Sequence, residues 1–260
     1  MNPLESLAEQ VPHLQHSFDS AFVFGSGSFG MTQYVLWMII CFLITLAVVL
    51  AASKRLTLIP TNKFASMVEY GYEFVKKDMG ESAIGHGYKR HLPFLATLFF
   101  FILISNFVGL IPGCKTPTGS ISVTWALAAI SFVYFIYWGI RAKGLGGYLK
   151  SFAPSGLPVV MVPLVWFLVL FSTVLGVLAL AVRLYGNMFA GHMVLGIFAL
   201  LTSMFIGSAI QGAPVDGAIS IAWVLFLFAM YALEVLVAFL QAYVFTILSA
   251  VYIGLATSDH

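Results

Sequence analysis

Arg183-Leu184-Tyr185-Gly186-Asn187-Met188-Phe189-Ala190-Gly191-His192 lies inside an apolar tract that runs from Leu157 to Ile210. Arg183 is the only Lys or Arg in that tract. A segment this long and apolar is a membrane helix, because backbone groups in hydrocarbon must pair within their own segment. An arginine on an isolated helix at mid-membrane costs at least ~3 kcal/mol. It therefore faces protein interior or a water-filled path and meets an anion. The next apolar tract, Ala218 to Ala256, carries one acid, Glu234. Two readings follow. Arg183 and Glu234 form a buried structural pair, or Arg183 marks an ion pathway, the usual task of an intramembrane charge.

The surrounding composition agrees with a membrane chain. Of 260 residues, 61% are hydrophobic and 8% charged, which excludes a soluble domain and points to a polytopic helical membrane protein. The net charge of +2 says little about partners and gives no reason to expect nucleic acid. Cys41 and Cys114 sit in or beside apolar segments, without metal-ligand neighbours, so neither a metal nor a cofactor is expected. Residues 1 to 30 hold Glu5, Glu9 and Asp19 but no basic residue, so they do not read as a cleavable signal peptide. Gly25-Ser26-Gly27-Ser28-Phe29-Gly30 matches G-x-G-x-x-G, but a membrane span follows instead of a βαβ unit, so a flexible lead-in is the better reading.

Taken in order, the chain predicts an N-terminal arm (1–30) and a first span over 33–52, about the ~20 residues a bilayer needs. An amphipathic helix over 61–80 follows, apolar at Phe64, Met67, Val68, Gly71, Val75 and Met79. Lys63, Glu69, Glu73, Lys76, Lys77 and Asp78 take its other faces, with Glu73 and Lys77 an i,i+4 pair. It reads as a helix on the membrane surface, its charges a solvated face or a docking face for a partner. Further spans are predicted over 92–111 and 121–140, with Arg141, Lys143 and Lys150 in a glycine-containing loop. Asn106 within the second span reads first as a helix–helix contact.

The tracts 157–210 and 218–256 are each long enough for a helix of ~60 Å or more, twice the ~30 Å hydrocarbon core. A single crossing requires strong tilt or a kink, at Pro158, Pro163 or the Gly186-Asn187 step. The fold class is thus all-α membrane protein: about five transmembrane helices plus one surface amphipathic helix, the last two long and steeply tilted.

Basic residues alternate between loops. Seven (Lys54, Arg55, Lys63, Lys76, Lys77, Lys89, Arg90) follow the first span, Lys115 alone follows the second, and three follow the third. The connection from Gly207 to Gly217 has none. The positive-inside rule then puts the N-terminus outside and the C-terminus inside.

On helical wheels Arg183 and Asn187 share a face flanked by Gly176, Ala179, Gly186 and Ala190, small residues that let another helix approach or simply pack. His192 lies nearly opposite. Glu234, Gln241 and Tyr252 share one stripe of the last tract. His192 with Glu234, both at membrane depth, are the groups of a proton relay.

These residues carry a resemblance. Asn106 with Leu110-Ile111-Pro112, the stretch Arg183 to His192, and Glu234 with Gln241-Ala242 and Tyr252 resemble the a subunit of F-type ATP synthases, over most of the chain. The resemblance implies two tilted helices against a ring of c subunits. It implies an essential arginine at Arg183 facing the ring carboxylates, with Gln241 near it across the helix pair. It implies a half-channel from the outer side lined by Asn187, His192 and Glu234, with Tyr252 and Asn106 among the pathway residues. Family members place an acid at one of the His192 and Glu234 positions and often a His at the other. Many carry a Glu about fourteen residues before the arginine. Val169 stands there in this chain, leaving Ser172 and Thr173 as the nearest polar groups. The implied partners are the c ring, the b-subunit peripheral stalk, the F1 head indirectly, and the lipid bilayer. The implied setting is the bacterial plasma membrane, with the mitochondrial inner membrane as the alternative. The chain itself is non-catalytic, since it holds no nucleotide-binding loop.

Two other classes compete. A self-contained secondary transporter would show inverted repeats, and none is legible. An intramembrane enzyme would show H-E-x-x-H, G-x-S-x-G or an Asp pair, and none is present.

Overall fold

The computed structural model describes residues 22–24, 31–53, 63–85, 87–111, 113–152, 161–210 and 214–257. Glu5, Glu9, Asp19, Gly25–Gly30, Lys54, Arg55, Pro112 and Pro158, all of which enter the sequence reading, lie outside these, as do the last three residues. A two-strand antiparallel ladder, β1 (Phe22–Phe24) with β2 (Met31–Thr32), precedes the helices. The described residues are otherwise helical apart from short turns.

Among the described residues, five helices are long and apolar enough to cross a membrane. They are α1 (Gln33–Ser53), α3 (Leu92–Gly109), α4 (Ile121–Ser151), α5 (Val162–Ile210) and α6 (Pro214–Thr257). The protein is an all-α membrane protein. α3 is the centre, with Leu92, Leu95, Leu98, Phe99, Ile102, Ser105 and Asn106 buried around its circumference against α1, α6 and the segment before it. α1 is more peripheral. Cys41 and Thr45 are buried, while Phe42, Leu43, Leu46 and Leu50 point outward as a lipid-facing helix requires.

The amphipathic helix α2 (Lys63–Phe74) runs into a wider turn, Val75–Glu81. There Ser82 N–H bonds to the Lys77 carbonyl and Gly85 N–H to that of Gly80, five residues back each time. The protein itself covers the apolar stripe of this unit from Val68 onward, while Phe64 and Met67 stay exposed. Val75 and Met79 are fully buried, and a β-carbon on Gly71 would touch the Phe100 ring on α3. Phe74 meets Phe99, Phe239 and Tyr243. Glu73 and Lys77 form their ion pair at 2.9 Å on the exposed side.

α4 extends eleven residues past the expected end of the third span, because Arg141 to Ser151 are helical rather than a glycine loop. Its course breaks at Gly144, whose φ of 71° and ψ of 162° are open essentially to glycine alone. The break folds Tyr148 back under Gly139, where a β-carbon would strike the Tyr148 ring.

α5 and α6 have 49 and 44 residues, about 73 and 66 Å at the helical rise, and pack chiefly on each other. α5 is helical throughout, including the Gly186-Asn187 step, and Pro163 sits in its first turn, where a missing N–H costs nothing. Ala238 and Ala242 on α6 are fully buried, and such small residues allow close helix contact. One end of the bundle gathers the start of α3, the break in α4 and the end of α6, along with Lys89, Arg90 and Arg141. The opposite end holds the turn Pro117–Gly119 between α3 and α4.

Candidate functional site

The inner stripe of α5 is Val177, Leu180, Ala181, Leu184 and Met188, all buried. Positions one step round the helix must then face away. Arg183 is exposed, with exposed Ala179, Val182 and Ala190 beside it. A β-carbon on Gly186 would meet nothing, so the surface around the guanidinium is flat and open. Arg183 makes no ion pair or hydrogen bond with any described residue. The buried pair with Glu234 does not form, because Arg183 faces outward from α5 while Glu234 is buried between α5 and α6. Gln241 is half-buried on α6 and makes no hydrogen bond to Arg183.

Glu234 meets His192 instead. Its carboxylate is buried, with Oε1 3.9 Å from His192 Nδ1. Oε1 has no hydrogen-bond partner among the described residues. Gly191 makes room for it, since a β-carbon there would fall on the carboxylate. His192 Nδ1 also lies 2.8 Å from the Met188 carbonyl. Nε2 is 2.9 Å from the Gly109 carbonyl and 3.2 Å from the Thr116 hydroxyl. An imidazolium donates to both carbonyls. A neutral ring donates from Nδ1 to Met188 and accepts from Thr116 at Nε2. One set of partners therefore serves both protonation states. Beside it is a cavity of about 250 Å³ lined by Tyr34, Cys114, Lys115, Thr116, Met188 and His192. That is room for several waters at ~30 Å³ each. Asn187 is half-buried, and its amide nitrogen is buried with no partner among the described residues.

Asn106 is fully buried and satisfied. Its Nδ2 donates to the Ala238 carbonyl at 3.0 Å and its Oδ1 accepts from the Thr118 hydroxyl at 2.8 Å. It ties α3 to α6 and to the turn beside Thr116, and it does not line the cavity. The Tyr231 hydroxyl adds a second tie, donating to the Leu110 carbonyl at 3.1 Å.

Tyr252 lies toward the other end, stacked on Phe135 at 5.6 Å, with its hydroxyl where a Gly176 side chain would be. Gly176 is thus filled by this chain's own tyrosine and does not belong to the open stripe around Arg183. Ser172 is exposed, and the Thr173 hydroxyl donates back to the Val169 carbonyl at 2.9 Å. Measured along α5, His192 stands about 13 Å from Arg183 toward one end and Gly176 about 10 Å toward the other. The cation therefore sits between two polar zones at different heights.

Sequence reasoning missed Gly109, Thr116, Gly191 and Tyr231. Thr116 belongs to a visibly polar turn and Gly191 directly precedes His192, but no spacing marks either.

Residues 35–254 match the family described as ATP synthase A chain. ATP synthase subunit a of Chloroherpeton thalassium is 40% identical over 245 residues, 91% of this chain and 70% of its own length. ATP synthase subunit a 2 of Chlorobium luteolum is 39% identical over 239 residues, 88% of this chain and 65% of its own. ATP synthase subunit a of Bartonella tribocorum is 38% identical over 230 residues, 88% of each chain. A family match over most of the length, joined to five apolar helices and an intramembrane arginine, makes this chain a member of the ATP synthase A chain family, the family of ATP synthase subunit a.

Proposed function

We propose that this chain is the proton-translocating stator subunit of an F-type ATP synthase in a bacterial plasma membrane. Its partners are the c ring, the b-subunit peripheral stalk and, through them, the F1 head. The observation that carries this reading is Arg183. It is a cation with no partner among the described residues, on an open, small-residue face at a height between the His192–Glu234 cluster and the Tyr252 end. An unpaired arginine at membrane depth calls for an anion supplied from outside the chain. A carboxylate on an adjoining helix ring meets that need.

The chemistry then follows from the geometry. The end bearing Lys89, Arg90 and Arg141 lies inside by the positive-inside rule, so the His192 cavity faces outside. A proton reaches His192 and Glu234 through that cavity and passes by way of the Asn187 face to a ring carboxylate. Neutralising the carboxylate lets it turn into lipid without the cost of a buried charge. On returning from the other side it meets the Ser172, Thr173 and Tyr252 zone and releases its proton inward. The Arg183 charge favours release by stabilising the carboxylate form. A guanidinium does not deprotonate, so it also blocks direct hopping between the two half-channels. Lysine would serve poorly, because its charge is readily lost on burial. Each proton gains ~2.3 kcal/mol per 100 mV. α5 and α6, each more than twice the core thickness, cross at a steep tilt along the ring.

The test is Arg183→Ala in membranes carrying the whole assembly. Lost ATP-driven acidification, with normal assembly and a raised passive proton leak after removal of the soluble head, supports the barrier role. Normal pumping overturns it.

A further inference from the structure

At the basic end of the bundle lies a second cavity, of about 860 Å³, which takes no part in the proposed proton path. Lys89, Arg90, His91, Trp138, Arg141 and Thr257 line it, and no acid does among the described residues. Arg90 comes from the 3₁₀ turn Tyr88–Arg90 and Arg141 from α4. Their guanidinium carbons stand 5.1 and 5.7 Å from the centre of the same Trp138 ring. Arg141 is held further by Nη1–H donating to the Tyr137 hydroxyl at 2.8 Å. His91 packs edge-on against Trp138 and Tyr134. Glu81 and Glu73, nearby in sequence, are engaged elsewhere. Glu81 takes the Tyr88 hydroxyl at 2.8 Å and lies 4.0 Å from Lys76, and Glu73 takes Lys77. Two arginines thus converge on one indole with no counter-charge in the pocket among the described residues, an arrangement suited to an anion that accepts from forked N–H donors.

Position selects the anion. His91 is the residue before α3 enters its apolar run, so the pocket sits at the rim of the membrane-spanning layer, where aromatic and basic residues collect. Directly below, Ala129, Ile130, Val133, Tyr134 and Tyr137 on α4 line an apolar groove of about 480 Å³. Ile130, Val133 and Tyr137 are exposed. Tyr137 joins the two features, because its ring lines the groove and its hydroxyl holds Arg141. A charged pocket over an apolar groove fits a phosphate that carries an acyl chain.

We propose that this pocket binds a phosphate group, that of an anionic membrane phospholipid whose acyl chain lies in the α4 groove. Basic pockets between helices at a membrane face hold such headgroups, and each basic residue near the surface contributes about fivefold in affinity.

The intact assembly in phosphatidylcholine nanodiscs, doped with spin-labelled phosphatidylglycerol or with phosphatidylcholine bearing the same labelled chain, gives the test. The expected result is a motionally restricted phosphatidylglycerol population that weakens about fivefold per arginine in Arg90→Gln and Arg141→Gln, with no change for phosphatidylcholine. Val133→Trp, which fills the groove, weakens lipid retention and leaves binding of inorganic phosphate, read by phosphorus NMR, unaltered. Both arginines are exposed, so their substitution spares the core. Where Arg141→Gln does not assemble, Arg141→Lys, which keeps the charge and loses the fork, still weakens phosphatidylglycerol retention, by less than about fivefold. Equal retention by native and arginine variants overturns the pocket. Full displacement of lipid by millimolar inorganic phosphate, with no effect of Val133→Trp, overturns the lipid source and assigns a soluble phosphate instead.

Discussion

Gly191 of α5 and Glu234 of α6 are matched in space: a β-carbon on the glycine would occupy the place of the carboxylate. The absent side chain lets Glu234 lie against the α5 backbone, 3.9 Å from His192 Nδ1. Gly191→Ala therefore expels the carboxylate from its position beside the imidazole. Proton transfer needs groups within hydrogen-bond reach, so ATP-driven acidification of inverted vesicles should fall at least ~tenfold. Subunit incorporation, followed by immunoblot, should be kept. Glu234→Asp, one methylene shorter, should restore part of the rate in the Gly191→Ala background. Undiminished pumping by Gly191→Ala alone would refute the pairing.

Asn106 predicts a different kind of loss. Its amide bridges Ala238 on α6 and Thr118 in the α3–α4 turn, and the residue is wholly buried. Asn106→Ala should cost about 1–3 kcal/mol, for one helix–helix and one helix–turn hydrogen bond in a membrane protein. Thermal unfolding of the detergent-solubilised chain is the measurement. A melting temperature equal to that of the native chain would show the bridge to be dispensable.

Gly144 carries the break in α4 at a φ of 71°. Gly144→Ala places a side chain in a region open essentially to glycine, at about 1–3 kcal/mol. The expected consequence is local, with Tyr148 leaving the space under Gly139. Accelerated proteolysis between residues 144 and 152 checks this, and unchanged digestion would count against it.

His91 supplies the pH dependence. Burial, and secondarily the Arg90 charge, hold its imidazole below the ordinary value of 6.5. It also faces Tyr134 and Trp138, both uncharged. The unfolded chain then binds its proton first as pH falls. His91 therefore contributes full stability above about pH 6.5, and that contribution is lost as pH drops through the lowered folded-state value. In phosphate-free buffer and zwitterionic detergent, the melting temperature of the native chain should decline below pH 6.5 more steeply than that of His91→Gln. Parallel slopes would exclude His91 as the source.

The sequence made the helices legible because membrane burial leaves long apolar runs and few charges, and Arg183, His192 and Glu234 are conspicuous against such a background. The choice between a buried Arg183–Glu234 pair and an unpaired arginine was not legible. It depends on which way two separate helices turn their faces. Gly191 and the carbonyls of Gly109 and Met188 were hidden for a related reason. Backbone acceptors and missing side chains carry no sequence signature until tertiary contact gives them neighbours. The α4 extension was hidden because its glycines read as a loop, while only Gly144 leaves the helical region.

The uninterrupted course of α5 turns positions into a vernier. From Gly176 through Arg183 to His192 there is no joint at which length can be taken up, so each residue added or removed shifts everything beyond it by 1.5 Å and 100° together. Inserting one alanine between Arg183 and His192 would leave the composition of the site almost untouched and yet aim the imidazole away from Glu234. Inserting four would move it about 6 Å along the axis while nearly restoring its bearing. The two insertions separate what bearing contributes from what altitude contributes, which no point substitution can do.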